Sequence, residues 1–427
     1  SKASASKKAS IRTSACSTEL KNNALIKIAG LLNEKKDKIF EANKKDIEKS
    51  KENNLSEPML KRLKFDESKL SDVISGIESL IKLPDPVNKT LLSTELDEGL
   101  ELYKVSCPIG VIGIIFESRP DALVQISTLC LKSGNAVLLK GGSEAINTNR
   151  ELYEIIKEAS ENAGMPGGWI QFLETREDVA EMLKLDRFID LIVPRGSNQF
   201  VRYIMDNTNI PVLGHAAGIC HVYVDRDADM NMAVKIAMDS KSQNVSVCNA
   251  AETLLVHEKA ADKFLPLLKT ECDKKHVLLL GCERTRKIIN IEKASEKDWK
   301  TEYLDYKLSV KVVSSIDEAI DHINKFGSKH TDAIITDNKE RASKFMQLVD
   351  SANVFLNCST RFSDGYRYGF GAEVGISTSK IHARGPVGLE GLVIYKYKLV
   401  GHGQIVSDYV DKKKKFTHRK LNKEFKL

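Results

Sequence analysis

The sequence predicts an α/β fold of doubly wound parallel sheet, and three observations carry that reading. Continuous runs of Val, Ile, Leu and Phe recur along the chain, as in residues 111–116. An uninterrupted apolar run marks a strand covered on both faces. The runs alternate with stretches whose apolar residues follow helical spacing, the pattern of βαβ units and a parallel sheet. Gly and Pro punctuate the junctions, with Pro120 opening a helix and Gly134 following its end.

In chain order, Leu20, Ala24, Leu25, Ile28, Leu31 and Leu32 recur at helical spacing, and Ser17 marks the start of that helix. A Lys/Glu-rich stretch, residues 34–54, continues as exposed helix until Pro84 and Pro86 break the pattern. Leu100, Leu102 and Val105 sit among polar residues as in a strand, ended by Pro108 and Gly110. Strands are expected at 111–116, 136–139, 169–173 and 188–193, with helices at 120–132, 145–159, 176–183 and 197–205. A second unit has strands at 222–224 and 253–256 and helices at 230–238 and 260–268. Residues 282–306 are polar and irregular, and later strands fall at 333–336 and 354–357. No internal repeat is visible.

Composition narrows the class. Hydrophobic residues at 42% and charged residues at 29% suit a folded globular chain of 427 residues rather than a disordered one. The formal charge of +6 is concentrated late, in Lys412 to Lys415 and on through His418, Arg419 and Lys420. Such a block reads as a solvated or disordered tail, so no nucleic-acid partner is expected. No apolar stretch approaches the roughly 20 residues of a membrane span, so no membrane partner is expected. The basic, Ser-rich start lacks the apolar core of a signal peptide. The eight cysteines include no CxxC pair, which argues against zinc ribbons and disulfide frameworks. They read as reduced thiols of a cytoplasmic protein, with no metal site expected.

Three places could carry chemistry. Lys140-Gly141-Gly142-Ser143-Glu144 closes a strand and opens a helix. Small residues there let backbone N–H groups cradle a phosphate, and Lys140 adds a donor; an ordinary tight turn has the same pattern. Pro194-Arg195-Gly196-Ser197-Asn198 is a second such turn, and the two together would make a nucleotide cleft, although neither is a GxGxxG fingerprint. Cys248 lies in Asn244-Val245-Ser246-Val247-Cys248-Asn249-Ala250, a loop of small and polar residues. A thiolate attacks carbonyl carbon and leaves well from a thioester, whereas most cysteines are buried structural thiols. The third place combines Ser359-Thr360-Arg361-Phe362-Ser363-Asp364-Gly365, Gly369-Phe370-Gly371-Ala372-Glu373 and His382-Ala383-Arg384-Gly385-Pro386. Arg361 and Arg384 could grip a carboxylate or phosphate bidentately, and His382 could donate a proton or be structural.

At these residues the chain resembles a known family. Ile115-Phe116-Glu117-Ser118-Arg119-Pro120, Lys132-Ser133-Gly134-Asn135-Ala136, Gly141-Gly142-Ser143-Glu144-Ala145, Val193-Pro194-Arg195-Gly196, Gly218-Ile219-Cys220-His221-Val222-Tyr223-Val224-Asp225, Val247-Cys248-Asn249-Ala250 with Glu252-Thr253-Leu254-Leu255, and Ile381-His382-Ala383-Arg384-Gly385-Pro386 carry the likeness. Together they resemble the gamma-glutamyl phosphate reductases, the glutamate-5-semialdehyde dehydrogenases of proline synthesis, within the aldehyde dehydrogenase superfamily. The likeness runs from about residue 15 to residue 408. It implies an aldehyde dehydrogenase-like fold with a doubly wound cofactor domain, an α/β catalytic domain and a small β oligomerisation flap. The expected partition is 1–94 and 109–226 for the NADP-binding domain and 227–385 for the catalytic domain. Residues 95–108 and 386–410 form the flap and 411–427 a basic tail.

The resemblance also implies a reaction. Cys248 attacks the gamma-carbonyl of glutamyl 5-phosphate, phosphate leaves, and NADPH reduces the thioester to glutamate 5-semialdehyde. The Cys248 backbone N–H with Ser118 or Arg119 is the expected oxyanion hole. Arg119, Arg361 and Arg384 are candidates for the phosphate and the alpha-carboxylate, with His382 beside them. Lys140, Gly142, Ser143, Gly196 and Ser197 are expected to line the cofactor site. Ser143 stands where NAD-specific relatives often carry an acid, which favours NADPH. His215 stands where hydrolytic aldehyde dehydrogenases have a glutamate base, and is held as a proton donor. Asn244-Val245-Ser246 departs from the proline-containing segment common before the family's cysteine. A homo-oligomer is expected from the flap, and a glutamate 5-kinase is a candidate partner. Two rivals remain: a hydrolytic aldehyde dehydrogenase oxidising a small aldehyde to the acid, and a nucleic-acid binder working through the basic tail.

Overall fold

Five helices precede the first strand: α1 (Lys2–Thr13), α2 (Thr18–Glu34), α3 (Lys36–Glu52), α4 (Glu57–Leu63) and α5 (Glu67–Lys82). The structure, a computed structural model, describes residues 2–117, 119–174, 177–215, 217–371 and 373–426. Ser17 caps α2, its hydroxyl accepting from the Leu20 N–H at 3.2 Å, as the sequence predicts. An arm follows, made of β1 (Thr90–Asp97) and β2 (Leu100–Pro108). Next comes a βαβ series: β3 (Val111–Phe116), α6 (Pro120–Lys132), β4 (Ala136–Gly141), α7 (Ile146–Asn162), β5 (Ile170–Leu173), α8 (Glu177–Met182), β6 (Leu191–Arg195) and α9 (Asn198–Asp206).

These four strands form a parallel sheet in the order β5-β4-β3-β6. Alternation along each strand builds a core on both faces. Ile112, Ile114, Phe116, Val137 and Leu139 pack under α2, α5, α6 and α7. Val111, Ile115, Ala136, Leu138 and Ile192 face Ala3 of α1, Met182 and Ile204. The chain winds from β3 outward to β5 and returns to the other side of β3. Such a reversal opens a crevice at the carboxyl ends of the strands, the place where ligands bind in doubly wound sheets.

The second unit runs β7 (Cys220–Val224), α10 (Met230–Ser242), β8 (Ala251–His257), α11 (Glu258–Lys274), β9 (Leu278–Gly281), α12 (Glu283–Arg286), β10 (Glu292–Lys293), β11 (Lys307–Val313), α13 (Ile316–Phe326), β12 (Thr331–Ile335), α14 (Lys339–Leu348) and β13 (Asn353–Leu356). They form a parallel sheet ordered β10-β9-β11-β8-β7-β12-β13, again with one core on each face. A two-stranded piece, β14 (Gly375–Ser377) with β15 (Gly385–Val387), precedes β16 (Val393–Val400), α15 (Val406–Val410) and β17 (Arg419–Lys420). The arm sheet has the order β16-β2-β1-β17.

The structure moves three expected boundaries. β7 is a central strand of the second sheet, paired with β8 and β12, so that unit begins before residue 227. Its two faces decide this, since Val222 and Val224 enter one core and Tyr223 the other. Val374, from the end of the expected catalytic segment, and Val387, from the start of the expected flap, pack into the core of the first unit. The arm opens at Thr90 rather than at residue 95.

The basic tail is not a free tail. Arg419 and Lys420 pair with Glu95 and Thr94 of β1. Leu421 exchanges hydrogen bonds with Ser93, and Phe425 packs edge-on to Tyr103 at 5.3 Å. Lys423 Nζ meets Glu101 at 2.7 Å. Its main chain closes an edge that β1 would otherwise leave open. Among the described residues no helix is long and apolar enough to cross a membrane.

His322 of α13 supplies a test of the second core. It is 3% exposed and lies against Phe326 and Trp299 with centroids at 4.6 and 5.5 Å. Burial, followed by the neighbouring His221 and Lys311, lowers its pKa from 6.5 to about 2. Above 6.5 it is neutral in both folded and unfolded chains. Below that value only the unfolded chain takes the proton, so stability falls with pH by about 1.4 kcal/mol per unit. Urea midpoints for the wild type and His322→Phe, compared at about pH 7.5 and 5.5, test this. The wild type is expected to lose about 1.4 kcal/mol more than the variant; equal losses would show that His322 is protonated without cost.

Candidate active site

Cys248 stands in the loop between α10 and β8, partly exposed, and the loop is held by its main chain. The Cys220 thiol donates to the Cys248 carbonyl at 3.2 Å. Asn249 donates through Nδ2 to the Ser363 carbonyl at 2.7 Å, and its own carbonyl accepts from Thr360 Oγ1 at 2.7 Å. These bonds tie the loop to the segment that carries Arg361. Gly218 approaches so closely that a Cβ there would collide with the Cys248 Cα, carbonyl carbon and carbonyl oxygen. Space is therefore the reason for glycine at this position.

Charge surrounds the thiol. Arg361 is 8% exposed and fixed through Nε to Gln243 Oε1 at 2.9 Å, at the end of α10. Arg195, at the end of β6, and Arg361 both interact electrostatically with Cys248. Burial and the Arg119 guanidinium hold Arg195 below the usual arginine range. Burial and Arg367 do the same for Arg361. Guanidinium groups brought near one another in a shielded cleft form a receptor for an anion.

His215 lies near the thiol and within the field of Arg195. Its Nδ1 is 2.9 Å from the Ile376 carbonyl, which can only accept, so Nδ1 carries the proton and Nε2 offers a lone pair. Burial holds its pKa below the ordinary value, so the ring is neutral at neutral pH. His330 stacks edge-on against it at 4.9 Å. One ligand atom from each of His215, Cys248 and His330 lies within 4.8 Å of the others. Glu373, whose pKa burial raises, interacts with Arg195 and His215 and accepts from the Gly365 N–H at 2.8 Å.

The two glycine turns lie on either side of β3. Lys140 is 4% exposed and its Nζ donates to the Gly141 carbonyl at 2.6 Å. Gly142 leads into Ser143, which is exposed. A Cβ on Gly142 would collide with the Glu144 carboxylate. Gly196 and Ser197 are exposed at the start of α9. The Ser197 hydroxyl caps that helix, and its N–H donates to Glu117 Oε2 at 3.1 Å. Both turns thus open at the carboxyl ends of parallel strands, flanking the reversal of strand order, and a carboxylate lies against each, Glu144 at Gly142 and Glu117 at Gly196.

The remaining expected residues divide. Arg119 stays near Arg195, with Nη2 3.2 Å from Asp121. Ser118 lies outside the described residues. Arg384 directs Nη2 to the Asp350 carbonyl and carboxylate at 3.0 and 3.1 Å. His382 is exposed, with Nε2 3.0 Å from the Gly391 carbonyl. No contact places Arg384 or His382 beside Cys248. Arg195, His330, Glu373 and Gly218 join the site without having been singled out in the sequence. Arg195, Glu373 and Gly218 stood within motifs quoted from the sequence but carried no assigned role, and no local signal marked His330.

Gly218→Ala tests whether the backbone seats the nucleophile. The added methyl is expected to displace the Cys248 loop by about 1 Å or more and to lower kcat by about 100-fold, the cost of misplacing a reacting group by that distance. Thermal melting should show a loss of about 1–3 kcal/mol from overpacking. Turnover at the wild-type rate would remove the contact from the account.

Comparison with known proteins identifies the family of the chain. Residues 2–278 match the aldehyde dehydrogenase family. The gamma-glutamyl phosphate reductase of Acetivibrio thermocellus is 69% identical over 421 residues, covering 99% of this chain and 98% of the relative. That of Pelotomaculum thermopropionicum is 67% identical over 419 residues, covering 98% and 96%. The crystal structure of gamma-glutamyl phosphate reductase from Thermotoga maritima superposes with a TM-score of 0.93 at 42% identity, covering 95% of this chain and 98% of that one. The Cys248 loop, the arginines around it and the two glycine turns thus sit in a chain that belongs to the gamma-glutamyl phosphate reductases of the aldehyde dehydrogenase family.

Proposed function

We propose that the chain reduces L-glutamyl 5-phosphate to L-glutamate 5-semialdehyde and phosphate through a thioester on Cys248, the second step of proline synthesis from glutamate. The observation that carries this reading is a thiol that interacts electrostatically with two guanidinium groups and lies close to a neutral imidazole. Neutral His215 accepts the thiol proton on Nε2, directly or through a water. The thiolate attacks the gamma-carbonyl carbon; the carbon–oxygen bond to phosphate breaks and the electron pair leaves with the phosphate. Arg195, Arg361 and Arg119 stabilise that departing charge, and the same cluster supplies a site for the alpha-carboxylate. A reduced nicotinamide supplies a hydride to the thioester carbon when bound. The protonated His215 returns its proton to the hemithioacetal side, and collapse restores the Cys248 thiol and frees the aldehyde. Amine and aldehyde then stand on one flexible chain and close to pyrroline-5-carboxylate.

NADPH is the cofactor in this reading. Lys140, Gly142, Ser143, Gly196 and Ser197 hold it, and exposed Ser143 leaves room for a 2′-phosphate that an acid would repel. The Ser197 N–H is engaged by Glu117, so a phosphate at that turn replaces the carboxylate. Ser118 joins the Cys248 N–H in the oxyanion hole, and Arg384 and His382 border the substrate entrance. The enzyme is cytoplasmic and receives its acyl phosphate from a glutamate 5-kinase. It assembles as a homo-oligomer through the arm sheet, which exposes Leu91, Tyr395, Tyr397 and Leu399. A hydrolytic aldehyde dehydrogenase would need a base to activate water, and His215 stands where such enzymes carry glutamate.

The reverse reaction tests the proposal, since the acyl phosphate is unstable. Protein is mixed with pyrroline-5-carboxylate, NADP and inorganic phosphate, and NADPH is followed by absorbance. Steady reduction of NADP that requires phosphate and falls by about 1,000-fold or more in Cys248→Ser is expected. Steady turnover without phosphate would establish the hydrolytic reaction instead.

A further inference from the structure

The cluster of His215, Cys248 and His330 has a property that acyl transfer does not use. Its three ligand atoms, a thiol sulfur and two imidazole nitrogens, lie within 4.8 Å of one another. Thiolate and imidazole are the ligand types that select zinc among the common divalent ions. Both imidazoles are oriented from behind. His215 Nδ1 donates to the Ile376 carbonyl at 2.9 Å, and His330 Nδ1 lies 2.8 Å from Thr331 Oγ1. That is the outer-shell arrangement that fixes a metal-binding histidine and leaves Nε2 to the metal. His330 is fully buried, and its Nε2 has no hydrogen-bond partner. An unpaired imidazole nitrogen enclosed beside a thiol is costly unless something binds it.

We infer that this cluster is a binding site for a single zinc ion, held by Cys248 Sγ and the Nε2 atoms of His215 and His330, which reversibly masks the nucleophile. Binding converts the Cys248 thiol to a zinc thiolate and releases one proton to solvent, with no change of oxidation state. Ligand atoms around zinc stand roughly 3.3–3.8 Å apart, given bond lengths of about 2.0–2.3 Å. The cluster closes to that spacing when the partly exposed thiol turns toward the imidazoles. A fourth position remains for water, as in three-ligand sites. Arg195 and Arg361 oppose a dication, and the thiolate charge offsets one of them, so affinity falls below that of four-ligand structural zinc. Zinc and an acyl group compete for one sulfur. The ion therefore inhibits whatever thioester chemistry Cys248 performs and is relieved by a chelator. Only this inhibitory consequence rests on the function proposed above; the binding itself does not.

Two binding measurements test the inference. Zinc is titrated into metal-free protein against a chromophoric chelator, with His330→Gln and Cys248→Ser as variants and circular dichroism as the check on folding. One zinc per chain is expected for the wild type. Each variant should bind at least about tenfold more weakly, since losing even an outer-shell partner costs about 10–100-fold. Cobalt is then added to the unaltered protein, which removes dependence on the variants. A thiolate-to-cobalt charge-transfer band that zinc displaces and alkylation of Cys248 abolishes is expected. Wild-type zinc affinity in folded His330→Gln, absence of a tight zinc in the wild type, or a cobalt spectrum without the sulfur band would each overturn the site. If zinc binds as expected while phosphate-dependent turnover is missing, the reductase reading fails and the metal site stands.

Discussion

The close approach of Gly218 to the main chain of Cys248 is the constraint on which the rest of the site depends. Gly218 leads into β7, and Cys248 precedes β8, its neighbour in the sheet. Because the two strands are parallel and paired, their preceding segments meet at the same end of the sheet. There the Cys220 thiol and the Gly218 backbone close on the Cys248 carbonyl. Asn249 and Thr360 then bind the far side of the loop to the turn that carries Arg361. Cys248 is thus placed by contacts to its main chain, as a preorganised site requires.

The second consequence is electrostatic. Arg195 comes from the first sheet and Arg361 from the segment after the second, so the positive site exists only when the two units meet. Val374 and Val387 secure that meeting by packing into the first core, and a Cβ at Gly375 would stand 3.0 Å from the Arg195 guanidinium. Desolvation, with repulsion from Arg119 at Arg195 and from Arg367 at Arg361, makes these arginines costly when empty. An anionic group arriving between them removes that cost, which is the physical link between the fold and a phosphate leaving group.

Much of this was legible in the sequence where local rules are strong. β3 and α6 fall at the residues expected of them, because an apolar run on both faces and the Pro120 and Gly134 punctuation leave little choice. Cys248 is read as a candidate nucleophile only through the motifs around it, its own loop being equally compatible with a structural thiol. Other features depend on packing between distant segments. α1 presents Ala3, Ser6 and Ala9 to the first sheet rather than an apolar stripe, so periodicity alone does not reveal it. β17 is two basic residues, and only its ladder with β1 makes it a strand. Arg195, Glu373 and His330 reach the site from three parts of the chain, and no spacing in the sequence brings them together.

The measurement that goes most directly to the account is the stoichiometry of the first turnover. Enzyme at high concentration is mixed rapidly with pyrroline-5-carboxylate and NADP in the strict absence of phosphate, and NADPH is followed in a stopped-flow instrument. A covalent acyl-enzyme that only phosphate can discharge gives one equivalent of NADPH per active site and then stops, and added phosphate restarts it. Continued linear formation of NADPH without phosphate, or no burst before phosphate is added, would contradict a thioester on Cys248 as the intermediate that couples the aldehyde to the acyl phosphate.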